Sequence, residues 1–313
     1  MQTQSGIAPI DGHCTAVCES EDGISNPAPQ YWPESQVLCV GWNVEGRRLA
    51  TGSNDETMRV WAELELQGHH DPVARLLWHP LHADKLASTG LLSETSVRFW
   101  DTRSGKNTAT STDSRGQPND YDDVLSVLDL RKMKVLAKHQ SRQKVHEVAM
   151  AATNTHVYAA AESGVVEVLS FPELKCEAAM QGHVSRVTCL AQTADRSTLA
   201  SGSMDAVACV WDMEERICTR TLYDIHHAIR ALGFSHDGKL LGVASEEPAL
   251  EVYRTDTGAS LGKVMLRACP ADVAWNPTRP LLAMPGGSDR DSTGMEHGLV
   301  DLRWVPGGHS GVL

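Results

Sequence analysis

His183, Ser201 and Asp205 supply the three side-chain types of a nucleophilic relay, and Trp211 follows them. A hydroxyl activated by an imidazole that a carboxylate orients is the chemistry of acyl transfer. The same types can serve structure instead. An indole N–H donates to the hydroxyl, the hydroxyl meets one imidazole nitrogen, and the carboxylate meets the other. Recurrence separates the two uses, because a structural device repeats with the unit it holds together. Partial sets stand at Thr51, Asp55 and Trp61, and at His69, Ser88, Glu94 and Trp100. The tetrad of 183–211 therefore reads as a network that fixes a repeated unit.

Other reactive groupings are weaker. Ser235-His236-Asp237 holds all three triad types in a row, but neighbours on one tight turn cannot relay a proton as a triad does. Gly308-His309-Ser310-Gly311 lacks the last glycine of a nucleophile elbow, since position 312 is Val312. His13, Cys14 and Cys18 have no second half of a zinc site. Asp289, Asp291 and Glu296 sit in a Gly/Ser-rich insertion that reads as a loop. The expectation is no catalytic residue, no metal, no cofactor and no small-molecule substrate, so not an enzyme.

The elements that carry the tetrads repeat. Segments ending at Trp61, Trp100, Leu128, Leu169, Trp211, Tyr253 and Arg303 are spaced by 39, 28, 41, 42, 42 and 50 residues. A second track, Trp42, Met150, Gln192 and Phe234, precedes its markers by 19 residues. Trp78 and Trp275 belong to the same track, 22 and 28 residues ahead. Turn signals follow it at NVEG 43–46, TADR 193–196 and SHDG 235–238. Between the tracks lie short alternating runs such as Leu199-Ala200-Ser201-Gly202-Ser203, which have strand length and no helical period. Each unit is a small antiparallel sheet that cannot bury both faces alone, so units must stack into a ring.

The period, the endings Trp100-Asp101 and Trp211-Asp212, and the openings Gly68-His69 and Gly182-His183 are those of WD repeats. The fold expected is an all-β WD-repeat β-propeller of seven blade positions with the third truncated; the alternative is six blades. The truncation lies in the short step. KNTAT at 106–110 serves as the outer strand of the second blade and DDVLSVLDL at 122–130 as the third strand of the next, leaving STDSRGQPND for two strands and their turns. Residues 1–35 read as a mobile N-terminal segment, 36–305 as the propeller and 306–313 as a loose tail.

Composition is that of an ordinary folded chain, 41% hydrophobic and 22% charged, with a net charge of −12. That charge opposes tight non-specific nucleic-acid binding, which needs many cationic contacts to phosphate. One run is different: Arg131, Lys132, Lys134, Lys138, Arg142 and Lys144, with no acid among them, a candidate patch for RNA or an acidic partner. Asn54, His70, Asp71, Met204, His226 and His227 fall at one end of the blades and form the candidate partner-binding face. No apolar run approaches the ~18 residues a membrane helix needs, so no membrane partner is expected. The first Lys or Arg is Arg47, so no secretory or mitochondrial leader is expected. The eight cysteines are then expected to be reduced, with Cys39, Cys189 and Cys209 in the core.

Four stretches are more specific than a generic WD repeat. VLSFPELK (168–175), GSMDAVACVWDMEE (202–215), FSHDGKLLGVASEE (234–247) and VAWNPTRPLLA (273–283) resemble the family of THO complex subunit 3, as does DDVLSVLDL. The resemblance spans roughly 36–304 and departs where the family's Trp-Pro pair is replaced by His227-Ala228. It implies a non-catalytic scaffold subunit in the nucleus. Its partners would be the other subunits of the THO/transcription–export machinery, with RNA contact weak or indirect, and its work mRNP packaging and nuclear mRNA export. A different WD-repeat adaptor, a ubiquitin-ligase substrate receptor or a chromatin-peptide reader, is the alternative.

Overall fold

Short β-branched and small-residue runs closed by Asn, Asp and Gly turns fold as antiparallel strands. In the NVEG turn the Asn43 carbonyl accepts the Gly46 amide at 2.9 Å, and Gly46 takes φ +68°, a region that favours glycine. A side chain there would also meet Asn276, whose Oδ1 lies 2.4 Å from the position of a Cβ. The computed structural model describes residues 14–15, 35–61, 64–91, 94, 96–112, 124–141, 143–290 and 296–305.

The chain's first strand, β1 (Cys14–Thr15), belongs to the last blade. Blade 1 is β2 (Val37–Trp42), β3 (Leu49–Ser53), β4 (Met58–Val60) and β5 (Leu64–Leu66). Blade 2 is β6 (Val73–Trp78), β7 (Lys85–Gly90), β8 (Ser96–Asp101) and β9 (Lys106–Thr112). A strand pair follows, β10 (Val124–Asp129) with β11 (Lys134–Gln140). Blade 3 is β12 (Val145–Met150), β13 (His156–Ala161), β14 (Val165–Ser170) and β15 (Cys176–Gln181). Blade 4 is β16 (Val187–Gln192), β17 (Thr198–Ser203), β18 (Ala208–Asp212) and β19 (Ile217–Leu222). Blade 5 is β20 (Ile229–Phe234), β21 (Leu240–Ser245), β22 (Ala249–Arg254) and β23 (Ser260–Met265). Blade 6 is β24 (Ala274–Trp275), β25 (Leu281–Arg290) and β26 (Glu296–Trp304), with β1 on its outer edge.

Among the described residues there are thus six four-stranded blades, the count given as the alternative, and the two-stranded pair stands where a third blade of seven would begin. Only eleven residues, 113–123, separate β9 from β10. Two further strands of about five residues with their turns would need more chain than that. Within the segment read as a lead-in, Cys14 and Thr15 pair antiparallel with Leu302 and Asp301, so the N-terminal chain completes the last sheet. The insertion expected to be a loop extends β25 and β26 as a hairpin, with Asp289 opposite His297 and Arg290 opposite Glu296; Asp291 lies outside the described residues, as do His13, Cys18 and Gly308–Gly311.

The core sits between blades. Every residue of β3 and β21 is buried, because a neighbouring sheet covers each of these two strands on both sides. Cys39, Met58, Trp78 and Trp100 pack blade 1 on blade 2, and Val166, Met180, Val187 and Trp211 pack blade 3 on blade 4. Two of the tracking tryptophans join blades as well. Trp78 Nε1 donates to the Gly41 carbonyl and Trp275 Nε1 to that of Gly233, each at 2.9 Å.

Candidate functional site

The tetrad of blade 4 assembles from three elements. Trp211 on β18 donates its indole N–H to Ser201 Oγ at 2.8 Å. Ser201, in β17, meets His183 Nε2 at 2.8 Å. His183 Nδ1 lies 3.4 Å from Asp205 Oδ1, an ion-pair distance without hydrogen-bond alignment. Asp205 also accepts the Val184 amide at 2.9 Å, tying the loop to the turn. Burial lowers the His183 pKa, and the Asp205 carboxylate opposes that shift.

Blade 2 holds a complete set with glutamate as the acid. His69 Nε2 meets Ser88 Oγ at 2.7 Å and Nδ1 meets Glu94 Oε2 at 2.7 Å, while Trp100 donates to Ser88 at 2.8 Å. Burial pushes the Glu94 carboxyl up, but hydrogen bonds from Arg98, Ser96, His69 and the His70 amide outweigh it and hold the group down at about 2. A depressed carboxyl stabilises the fold above the ordinary carboxylate pKa and loses that contribution as pH falls toward 2. Blade 1 keeps only a fragment: Trp61 donates to Thr51 at 3.2 Å, and Asp55 pairs with Arg59 at 3.0 Å in place of a histidine.

Gly182 explains why the motif opens on glycine. A Cβ there would stand 2.5 Å from the Trp211 ring. Gly182→Ala is expected to cost about 1–3 kcal/mol by forcing the indole off its hydroxyl, read as a lower denaturant midpoint. An unchanged midpoint would mean that the blade has slack.

The tetrads also shape one end of the ring. In blades 1, 3, 4 and 5 the loop entering the blade is tied to the turn between its second and third strands: Asn54 donates to Gln36 and Glu162 to Lys144 at 2.9 Å, Met204 to Arg186 at 3.1 Å and Glu246 to Ala228 at 2.9 Å, all backbone. Of the residues expected on the partner face, Asn54, His70, His226 and His227 are exposed and Met204 is half-buried. Asp71 is different: it is buried and accepts the Glu94 amide at 2.5 Å, so it braces the blade 2 tetrad rather than facing a partner. His227 lies 3.9 Å from Glu247, which also holds Lys263.

The basic run falls on the strand pair. Arg131, Lys132, Lys134, Lys138 and Lys144 are exposed; Arg142 lies outside the described residues. Ser235-His236-Asp237 is a hairpin turn in which buried Ser235 donates to Asp237 at 2.7 Å and His236 is exposed.

The sequence reading did not single out the ion cluster of the inner strands. Counted back from the tracking residue, the third position of β6 is Arg75, of β12 is Glu147, and the residue two before β24 is Asp272. Asp272 accepts the Val40 amide and Glu147 the Leu190 amide, each at 3.0 Å. Each carboxylate therefore reaches the next blade. Arg75 approaches Glu147 at 3.8 Å, joining blade 2 to blade 3 past the strand pair. Burial raises both carboxyls, and Arg75 pulls each back. The signal was present as charge at an otherwise apolar strand position, but only ring closure shows that the three share one neighbourhood.

Cys209 and Cys218 form a thiol pair across β18 and β19. The Cys209 thiol beside it, together with Thr221 and the neighbouring backbone, lowers the Cys218 pKa against the effect of burial. Cys209 itself is buried. Alkylation at neutral pH should label Cys218 ahead of exposed Cys176 and Cys269, because the thiolate is the nucleophile. Peptide mass spectrometry would show it, and equal labelling of all three would contradict it.

Blades of four antiparallel strands, stacked through apolar cores between neighbouring sheets and fixed within by Trp–Ser–His–acid tetrads in blades 2 and 4, define a WD-repeat β-propeller. The family model described as "WD domain, G-beta repeat" matches residues 30–62 and 174–212. THO complex subunit 3 of Arabidopsis thaliana is 31% identical over 292 residues, covering 86% of this chain and 92% of that protein. The chain belongs to the THO complex subunit 3 family. WD repeat-containing protein AAC3 of Dictyostelium discoideum is 23% identical over 85% of this chain and 63% of its own length. The β-propeller domain of Cps50 (Swd1) from Myceliophteria thermophila superposes with a TM-score of 0.72 at 16% identity, covering 87% of this chain and 96% of that one, which shows the fold alone.

Proposed function

We propose that this protein is a non-catalytic scaffold subunit of a THO-type assembly in the nucleus, binding the other THO subunits and through them supporting mRNP packaging and mRNA export. The observation that carries the reading is the 31% identity to THO complex subunit 3, running through 92% of that relative's length. The geometry supports the non-catalytic part. The histidines of the two complete tetrads face Ser and acid partners inside their blades, and the nearest Ser-His-Asp run is a hairpin turn. A propeller rim of pinned loops gives a rigid surface on which a few buried anchors carry binding.

Affinity capture of the tagged protein from nuclear extract is expected to recover the other THO subunits. Recovery of none of them sinks the reading. Capture of ubiquitin-ligase subunits or histones in their place would establish a different WD-repeat adaptor.

A further inference from the structure

Cys209 and Cys218 stand on the two outermost strands of blade 4, β18 and β19. The ladder sets Trp211 opposite Cys218 and Thr221 opposite Cys209, and strand alternation turns Cys209 to the same face as Trp211. The Cys218 thiol does not stay over its own ladder partner. It leans along β19, donating to the Arg220 carbonyl at 3.2 Å and lying 3.7 Å from Thr221 Oγ1. That brings it beside the Cys209 thiol. A bulge opens the ladder between the two cysteines, where Thr219 has no partner in the register. β19 is the edge strand of its sheet, so no further strand of that sheet holds it away from β18.

The two thiols differ in access and in charge. Cys209 is 1% exposed, and Cys218 is open to solvent. The Cys209 thiol, with Thr221 and the backbone, holds the Cys218 thiol down at about 6, while the Cys218 thiol and burial push Cys209 up. At neutral pH Cys218 is therefore the thiolate of the pair, and Cys209 keeps its proton.

The place of Cys209 in the repeat is also distinctive. Four residues after the tetrad acid, blades 1 and 2 carry Arg59 and Arg98, which pair with Asp55 and Glu94 at 3.0 and 2.5 Å. Blade 4 carries Cys209 four residues after Asp205. Its thiol donates to the Gly182 carbonyl at 3.6 Å, at the start of the loop that holds His183 and Val184. A buried cysteine by itself is an inert core residue, but that role does not call for a second thiol turned toward it from the surface.

We propose that Cys209 and Cys218 form a reversible oxidation site, which takes hydrogen peroxide as its oxidant and closes as a disulfide between β18 and β19. The Cys218 thiolate attacks one peroxide oxygen. An S–O bond forms, the O–O bond breaks, and the departing hydroxide takes up a proton as water. The sulfur is oxidised to a sulfenic acid and the peroxide is reduced. Cys209 then attacks that sulfur. The S–S bond forms, the S–O bond breaks, and hydroxide leaves with the Cys209 proton as water. Two molecules of a low-mass thiol reopen the bridge by exchange and leave as their own disulfide. Closure draws Cys209 Sγ off the Gly182 carbonyl, which loosens the loop entering blade 4, where Val184 is 94% exposed. This chemistry is the same whatever the protein assembles with.

The test treats the reduced full-length protein with a few equivalents of hydrogen peroxide and maps it by non-reducing peptide mass spectrometry. Trypsin cuts after Arg216 and leaves the two cysteines on separate peptides. The expected product is those two peptides joined with the loss of two hydrogens, and separated again by dithiothreitol. With Cys209→Ser the bridge should vanish and dimedone should trap Cys218 as its sulfenic acid. With Cys218→Ser, Cys209 should stay unmodified. Melting of each variant checks that it is folded, and the wild-type map stands without them. A Cys218 that stays reduced, goes on to sulfinic acid unbridged or joins Cys176 or Cys269 instead would overturn the proposal. So would oxidation of Cys209 in folded Cys218→Ser. Hydrogen exchange should show the amides of 183–186 exchanging faster in the bridged protein, and unchanged exchange there would overturn the link to the loop.

Discussion

Trp211→Ala is expected to destabilise the protein by about 3–5 kcal/mol, the range for removing a buried indole. Trp211 is 3% exposed and packs with Val187, Leu190, Leu199 and Met180 between blades 3 and 4. Its loss opens a cavity at that interface and removes the donor to Ser201. Trp211→Phe separates the two contributions. It keeps most of the packing and loses the 2.8 Å hydrogen bond, so about 1–3 kcal/mol should remain. Urea unfolding measures both, with hydrogen exchange locating the loss in β17 and β18. If the phenylalanine variant costs as much as alanine, the tetrad matters more than the core around it. If phenylalanine costs nothing, the network is ornamental in this blade.

Arg75→Ala should cost about 2 kcal/mol at neutral pH. Breaking a fully buried ion pair costs roughly 3–5 kcal/mol, and the smaller figure allows for solvent screening of a side chain that is 52% exposed. The loss leaves Glu147 and Asp272 without their guanidinium. Burial already raises both carboxyls, and Arg75 opposes that rise, so both move further up in the variant. A carboxyl raised in the fold is held protonated more tightly there than in the unfolded chain. Its penalty is therefore absent below the ordinary pKa near 4 and builds as pH rises through the folded value. The deficit of Arg75→Ala against wild type should accordingly shrink as pH falls from 7 toward 4. Adding Glu147→Gln should recover part of it. A deficit constant with pH would mean that Arg75 acts through packing instead of charge.

How much of this was legible in sequence depends on how local the determinant is. The blade 4 tetrad was readable because its members lie within 29 positions, 183–211, and recur with the repeat. The blade 2 set was readable only in part. Its four members stand out in the sequence, but the two-residue offset between Ser88 and Trp100, which stand twelve apart where Ser201 and Trp211 stand ten apart, makes the set look approximate, whereas it is complete in space. Asp71 reads as a face residue by position, yet it points inward to the Glu94 amide, a choice of rotamer that spacing does not encode.

The sequence by itself determined the repeat period, the antiparallel strands, the tetrad and the missing chain before β10, because alternation, turn chemistry and chain length act over tens of residues. Only the tertiary structure decided that the described residues form six four-stranded blades and a separate strand pair, that Cys14–Thr15 joins β26, and that Arg75, Glu147 and Asp272 share one neighbourhood. Those features depend on contacts such as the Asp272 carboxylate on the Val40 amide, 232 residues apart. Ring closure is set by how each sheet packs on the next, and no single repeat contains that information.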